Sequence, residues 1–237
     1  LPQSGAGKTI TTTETKFIPG EAVKVTFGKT TAKTRLIDCV GFMVDGAIGH
    51  EENGEPRMVQ TPWQSEPLPF EKAAELGTDK VISEHSTIGV VVTTDGSITE
   101  IPRENYEKAE EMTVAKLKNI GKPFVICLNC KAPTSKATAE LKKTLEEKYG
   151  VSVVPLDVLN CGEEGFTAVM EKALSEFPIR SADVELPDWL CALPSENKVV
   201  SEIIAAVKEA AANMIKMKDA YMLEDALAGV DKLIPAG

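Results

Sequence analysis

The middle of the chain alternates short, continuously apolar runs with longer amphipathic segments, and this alternation restricts the possible folds more than any other feature of the sequence. The apolar runs are TIGVVVTT, KPFVICLNC and VSVVPLDV, which begin at residues 87, 122 and 151. Segments with helical patterns over 103–121, 134–150 and 163–177 separate and follow them. A strand that is apolar on both faces is typical of a parallel sheet covered by helices. The pattern therefore predicts an α/β fold with a doubly wound, mostly parallel sheet.

Different patterns flank this alternation. Residues 22–27 and 34–40 predict a β-hairpin, and residues 70–86 predict a helix. Residues 45–69 are rich in glycine, proline and acidic side chains, so we expect an irregular loop there. After Pro178 the pattern changes to a proline-punctuated stretch that leads into one long amphipathic helix.

That long helix is predicted over 198–227, and its apolar positions from Val199 to Val207 recur at helical spacing. Such a stripe favours packing within the protein, and an assembly surface is the alternative. Both interpretations stay open at the level of sequence.

Composition argues against several classes of function. A net charge of −10 argues against a protein that wraps nucleic acid through phosphate contacts, and no basic block could do so locally. No run of about 18 apolar residues occurs, so we expect no transmembrane segment. The chain begins at Leu1 without a signal-peptide pattern, inside a loop-like stretch, and we therefore expect it to be a fragment.

Five cysteines lie scattered through apolar segments, which predicts reduced, mostly buried thiols in a cytosolic protein. Cys127 and Cys130 form a C-x-x-C pair. This pair ends an apolar run rather than opening a helix, and the sequence has no second C-x-x-C. Redox chemistry and zinc binding at these two cysteines are therefore disfavoured.

Polar residues follow two of the predicted strands, where ligands bind in doubly wound sheets. Asp38 and Gly41 form a D-x-x-G after the second hairpin strand. In P-loop NTPases this motif links a carboxylate to Mg²⁺ through water and brings a glycine N–H to the γ-phosphate. An Asp that only caps a turn is the alternative interpretation.

Asn129 ends the predicted strand FVICLN, Lys131 follows it, and both are our candidates for contacts to a nucleotide base. Guanine-reading domains carry N-K-x-D at this place, but Ala132 supplies no carboxylate here. A pocket without that acceptor is not built for guanine. Asn129 closing a turn before Pro133 is the alternative.

The opening stretch contains GAGKT, which resembles a phosphate-binding loop. The pattern G-x-x-x-x-G-K-[ST] requires glycine where Pro2 stands, no apolar strand precedes it, and a β-branched run follows it. In a G-domain-like fold, the segment just before the hairpin is switch I, whose threonine senses the γ-phosphate. GAGKT is therefore interpreted as part of a switch loop, with the phosphate-binding loop expected upstream of Leu1.

With these residues in view, the chain resembles the stage IV sporulation protein A family, ATPases of the endospore coat basement layer. The matching stretches are LPQSGAGKTITTTETKF, RLIDCVG, NGEPRMVQTPW, EPLPFEKAAELGT, KVISEHSTIGVVVTTDGS, KPFVICLN and EFPI. The resemblance implies a translation-factor-like P-loop NTPase domain over 1–180, without its phosphate-binding loop. It implies the helical start of a middle domain over 181–237, and a C-terminal domain absent from this chain.

The resemblance also implies roles for individual residues. Thr12 and Thr13 would be sensor threonines that position the γ-phosphate and water. Asp38 would be the carboxylate linked to Mg²⁺ through water, and Gly41 would face the γ-phosphate. The implied nucleotide is ATP, in agreement with the missing carboxylate at Ala132. Phe42 stands where Ras-like switches carry the water-orienting glutamine, so slow turnover is expected.

The family's hydrolysis drives polymerisation on the forespore surface in the mother-cell cytoplasm, and the resemblance implies a homopolymer here. It also implies coat proteins and a small amphipathic membrane peptide as partners, through regions absent from this chain. Two alternatives stay open: a scaffold stabilised by nucleotide without turnover, and a regulatory GTPase.

Overall fold

An N-terminal β-hairpin opens the part of the chain that the computed structural model describes, which comprises residues 17–27, 30–61 and 63–230. Strands β1 (Phe17–Phe27) and β2 (Thr30–Ile37) pair antiparallel, which confirms the predicted hairpin. Strand β2 already begins at Thr30, ahead of the predicted start at residue 34. Strand β2 ends at Ile37, so Asp38 is the first residue beyond the strand.

The prediction of an irregular loop over 45–69 is wrong, because this region folds into short antiparallel ladders. Strand β3 (Glu51–Glu52) pairs with β4 (Glu55–Pro56), and β5 (Met58–Thr61) pairs with β6 (Gln64–Pro69). The first ladder is closed by Asn53 and Gly54, whose φ values are 57° and 81°. An Asn-Gly pair with two positive φ angles makes the two-residue turn that suits a β-hairpin.

Helix α1 (Phe70–Lys80) continues into a π-helical turn, Val81–His85, so the predicted helix over 70–86 is confirmed with a change of winding at its end. The ammonium group of Lys122 donates hydrogen bonds to the carbonyl oxygens of Ile82, Ser83 and Ser86. These carbonyls end the helical segment, and a lysine is the favoured cation at a helix C-terminus.

A three-stranded parallel sheet organises the centre of the protein, in the order β7 (Gly89–Thr94), β8 (Phe124–Asn129), β9 (Val153–Leu156). Helices α2 (Glu104–Ile120), α3 (Lys136–Tyr149) and α4 (Gly162–Ser175) follow the three strands. The predicted α/β alternation is thereby confirmed. Its helix boundaries follow from capping, since Ser135 caps the start of α3 and Gly121 ends α2 at a φ of 72°.

Both faces of this sheet carry apolar clusters. One cluster lies between the sheet and α2 and α3, and includes Val91, Leu117, Ile126, Leu128, Leu145 and Val153. The opposite face packs Val125 and Cys127 of β8 against Val169 and Ala173 of α4. Strand β8 is therefore buried on both faces, as its continuous apolar run predicts.

The backbone divides into two compact units, and the division falls after Ala173. The second unit contains α5 (Asp188–Cys191), α6 (Lys198–Asn213), a 3-10 turn (Met217–Ala220) and α7 (Tyr221–Ala228). Val200 and Ile203 of α6 pack with Leu190 and Val230, so the apolar stripe of α6 contributes to the core of this unit.

The prediction of one long helix over 198–227 is wrong, because α6 ends at Asn213 and Met214 is extended. The Asp219 carboxylate accepts hydrogen bonds from the backbone N–H groups of Ile215 at 3.0 Å and Lys216 at 2.8 Å. These hydrogen bonds to a charged acceptor replace two that a continuous helix would use. Among the described helices, none combines the length and apolar character required to cross a membrane.

Candidate functional site

Asp38 lies exposed immediately after β2. Burial raises the pKa of the neighbouring Cys39 thiol. Gly41 has a φ of +80°, and a Cβ on it would meet no atom of the described residues within 4 Å. The positive φ favours glycine, and the open space would let a ligand approach its backbone N–H.

The segment after Gly41 extends to the start of α2. The backbone carbonyl of Asp45 accepts a hydrogen bond of 2.9 Å from Nδ2 of Asn105, in the first turn of that helix. Ala47 is buried two residues later. Helix α2 follows the carboxyl end of β7, so this contact links the Asp38 segment to the side of the sheet where doubly wound folds bind ligands.

Asn129 is the last residue of β8, and its side chain is hydrogen-bonded to the loop after β9. Its Oδ1 accepts a hydrogen bond of 3.2 Å from the backbone N–H of Val158. The next residue, Cys130, donates its backbone N–H to the carbonyl of Leu156 at 2.9 Å. The alternative interpretation, in which Asn129 closes the turn before Pro133, does not describe this hydrogen bond. The Asn129 side chain instead accepts from the loop that follows the neighbouring strand β9.

The backbone of Lys131 is hydrogen-bonded to the loop after β7, which lies on the other side of β8 from β9. Its backbone N–H donates a hydrogen bond of 3.0 Å to Oγ of Ser97, in the loop after β7. Sequence reasoning missed Ser97, although the Asp95-Gly96-Ser97 turn that ends an apolar strand is a usable signal. Asn129 and Lys131 therefore share one edge of the sheet, each tied to a different neighbouring loop.

The carboxylates at this edge are engaged in local turns. Asp157 accepts hydrogen bonds from the Leu159 N–H on Oδ1 at 3.2 Å and from Nδ2 of Asn160 on Oδ2 at 2.8 Å. Oδ1 of Asp95 accepts from both the N–H and the hydroxyl of Ser97, at 2.9 and 2.5 Å. Each of the two oxygens of Asp157 thus has a hydrogen-bond partner within its own loop.

The cysteines next to this edge are protonated thiols. Burial raises the pKa of Cys127 to about 11, with smaller contributions from Cys161 and Cys130, and burial also raises the pKa of Cys130. The thiolate is the form that attacks disulfides and binds metals, so raised pKa values disfavour both chemistries. Within the described ranges, no group of three or more His, Cys, Asp or Glu side chains could hold a metal ion.

Two of the predicted site residues, Thr12 and Thr13, lie outside the described residues, as does the GAGKT stretch. The remaining four fall into two pairs in the first unit. Asn129 and Lys131 lie together at the end of β8, whereas Asp38 and Gly41 lie in the segment after β2 that contacts α2.

The chain is similar to known proteins over most of its length. The family described as "Stage IV sporulation protein A, ATPase domain" matches residues 1–178. Stage IV sporulation protein A of Clostridioides difficile (strain 630) is 45% identical over 234 residues, which cover 98% of this chain and 47% of that protein. The proteins of the same name from Bacillus anthracis and Bacillus subtilis (strain 168) are each 44% identical over 220 residues, covering 92% of this chain and 45% of theirs.

The chain thus spans about half the length of the curated relatives it matches. No solved structure matches it. The family match confirms the resemblance that the sequence motifs indicate, and it assigns residues 1–178 to the family's ATPase domain. The chain belongs to the stage IV sporulation protein A family.

Proposed function

We propose that the protein binds and hydrolyses ATP in a site built on the carboxyl edge of its parallel sheet, and that it does so with Mg²⁺. The fold proposed for residues 1–180 is the P-loop NTPase type of the translation-factor class, followed by the start of a middle domain over 181–237. The observation that carries the proposal is the arrangement at the end of β8. There Asn129 and Lys131 are fixed by two neighbouring loops beside a position, Ala132, that lacks a guanine-reading carboxylate.

Selectivity for ATP follows from this arrangement. Guanine presents ring N–H and amino donors that need an acceptor, and Ala132 cannot supply one. A pocket selects a base by pairing with that base's hydrogen-bonding groups. Without the acceptor that guanine requires, most of the preference for guanine is lost. We therefore expect ATP to be used in preference to GTP.

The residues present fit a magnesium nucleotide. Mg²⁺ at phosphate sites keeps several waters and takes one or two carboxylates together with phosphate oxygens, so a cage of protein ligands is not required. Asp38 is exposed and follows a strand, where its carboxylate could hold a water on the ion. When bound, Mg²⁺ neutralises the charge that develops on the phosphate oxygens.

The remaining catalytic tasks fall to backbone and hydroxyl groups. Gly41, with its open left-handed backbone, would present its N–H to the γ-phosphate, and Thr12 and Thr13 would position the phosphate and the attacking water. Phe42 carries no group that orients water. Turnover should therefore be slow unless another residue supplies that function.

We further propose that hydrolysis drives polymerisation of the protein into the basement layer of the endospore coat, at the forespore surface in the mother cell. The homopolymer, the coat proteins and the small amphipathic membrane peptide are partners of the whole protein in this proposal. The names of the three relatives support a role in sporulation.

The test is phosphate release from ATP and from GTP by the full-length gene product, with Asp38→Ala and Asp45→Ala side by side. We expect Asp38→Ala to lower release from ATP by roughly 10- to 100-fold, the usual cost of removing a group that orients a metal's ligands. Asp45 lies in the same segment but contributes its backbone carbonyl, which alanine retains, so Asp45→Ala should release phosphate like the wild type.

Each outcome selects one function. ATP-selective release that Asp38→Ala lowers by this factor supports the ATPase. Polymerisation that Asp38→Ala leaves intact, with ATP still bound, would instead indicate a scaffold without turnover. A strong preference for GTP would favour a regulatory GTPase and would contradict the role given to Ala132.

A further inference from the structure

The loop after β7 begins with a tight, locally satisfied turn. Gly96 N–H donates to Oγ1 of Thr94 at 3.1 Å, and Ser97 donates both its N–H and its hydroxyl to Oδ1 of Asp95. With its proton directed at Asp95, the Ser97 oxygen presents lone pairs to other donors. The turn therefore orients Ser97 as a hydrogen-bond acceptor.

The group that uses this acceptor is the backbone N–H of Lys131, at 3.0 Å. Thr94 and Asn129 are aligned in the parallel ladder, so the loops that follow them leave the sheet side by side. This hydrogen bond crosses between the two loops. It acts on the backbone of Lys131 and does not involve its ammonium group.

The far end of the loop is anchored by a buried ion pair. Arg103 donates from Nη1 to Oγ1 of Thr93 and from Nη2 to Oε1 of Glu110, each at 2.9 Å. The Glu110 side chain is only 1% exposed and also accepts from the Tyr149 hydroxyl at 2.8 Å. A Cβ on Gly96 would lie 3.0 Å from the backbone nitrogen of Arg103, so the two ends of the loop touch.

We propose that Ser97 is a positioning residue for the proposed nucleotide site: it fixes the backbone of Lys131, and through it the side chain that meets the base. The inference rests on the proposed function. A loop held at both ends presents Ser97 in one orientation before any ligand binds, and such preorganisation lowers the cost of binding. Because Lys131 belongs to the base end and Asp38 to the hydrolytic end, Ser97 affects ATP affinity and leaves the chemical step unchanged.

The experiment measures steady-state ATP hydrolysis by the full-length gene product. Ser97→Ala should raise KM for ATP about threefold to tenfold, the loss of one hydrogen bond, with kcat unchanged. Ser97→Thr keeps the hydroxyl and should restore the wild-type KM. Ser201→Ala is the matched control, since that hydroxyl bonds a carbonyl within α6, and its KM should equal that of the wild type.

A double-mutant cycle with Lys131→Ala separates positioning from general damage. If Ser97 acts through Lys131, Ser97→Ala adds no further rise in KM once the Lys131 side chain is removed. Additive effects, or an unchanged KM in Ser97→Ala, would overturn the inference while leaving the ATPase intact. Absence of ATP binding by the wild type would overturn the proposed function, and the role of Ser97 with it.

Discussion

Glu110 shows how a buried charge can be stable in this protein. Burial alone would raise the pKa of its carboxyl group, but hydrogen bonds from Arg103, Thr93 and Tyr149, together with the charge of Arg103, hold the pKa below its usual 4.5. Nη1 of Arg103 also lies 2.8 Å from Oε2, so the guanidinium lies against the carboxylate, with its hydrogen bond to Oε1. A hydrogen bond between two charged groups is stronger than one between neutral groups.

This pair predicts a specific pH dependence of stability. A carboxylate whose pKa is lowered by folding stabilises the native state above its ordinary pKa, and that contribution is lost as the pH falls below 4.5. Glu110→Gln should therefore cost about 3 kcal/mol of unfolding free energy near neutral pH. The gap between variant and wild type should narrow as the pH falls below 4.5, as measured by urea unfolding.

The matched control is the next residue. Glu111 pairs with Lys148 at 2.6 Å, but its side chain is 55% exposed. Glu111→Gln should change the unfolding free energy by less than about 1 kcal/mol at every pH, as exposed ion pairs do. An equal loss of unfolding free energy in both variants would show that the buried Arg103–Glu110 contact stabilises the protein no more than the exposed pair does.

At one position of helix α4, Cys161 just before the helix and the Leu156 side chain of β9 leave room only for glycine. A Cβ on Gly165 would lie 2.4 Å from Cβ of Cys161 and 2.6 Å from Cδ1 of Leu156. Gly165→Ala should therefore destabilise the protein by about 1–3 kcal/mol, the usual cost of overpacking. Helix propensity alone predicts the opposite sign, since alanine is the better helix former.

Thermal unfolding of Gly165→Ala and Gly20→Ala decides between these two effects. Gly20 lies in β1, and a Cβ on it would meet nothing within 4 Å among the described residues, so its replacement tests the removal of a glycine without a described clash. A melting temperature of Gly165→Ala at or above that of the wild type would show that Cys161 and Leu156 can move to accommodate a methyl group at this position.

The same elements explain which parts of the fold could be predicted. The parallel strands and helices α2 and α3 follow from local signals, since each strand is continuously apolar and each helix has a capping residue or terminal glycine. The break after Asn213 could not be predicted in this way. It depends on Asp219 and on the buried Glu176, which binds Lys216 and Lys218 at 2.7 and 3.0 Å.

The candidate site also contains some residues that local sequence signals predict and one contact that depends on the tertiary fold. Asn129 and Lys131 could be found because ligands bind where parallel strands end. The turn at Asp95-Gly96-Ser97 marks Ser97 in the sequence, but its contact to Lys131 could not be predicted, because that contact depends on the register that aligns Thr94 with Asn129. The strands within residues 45–69 could not be predicted, because they are short and mostly exposed. Their sequence signal is limited to the Asn53-Gly54 turn.

At the scale of the whole molecule, the central sheet is incompletely covered among the described residues. The register places Val90 beside Val125 and Val92 beside Cys127, on the face where α4 packs. Yet Val90 is 39% and Val92 is 63% exposed, and β7 has β8 as its one strand neighbour in the described ranges. An exposed apolar edge strand is a site of self-association unless something covers it.

Val92→Lys should therefore reduce self-association of the 237-residue chain, as measured by static light scattering across a concentration series. A lysine on an edge strand opposes pairing with another chain, and because Val92 is largely exposed its replacement should leave the melting temperature nearly unchanged. Val184→Lys adds the same charge at a valine that is 38% exposed outside the sheet, so it separates the effect of position from that of net charge. Equal scattering from the two variants would show that the β7 edge does not drive association, whereas a decrease confined to Val92→Lys would identify it as the surface that another element must cover.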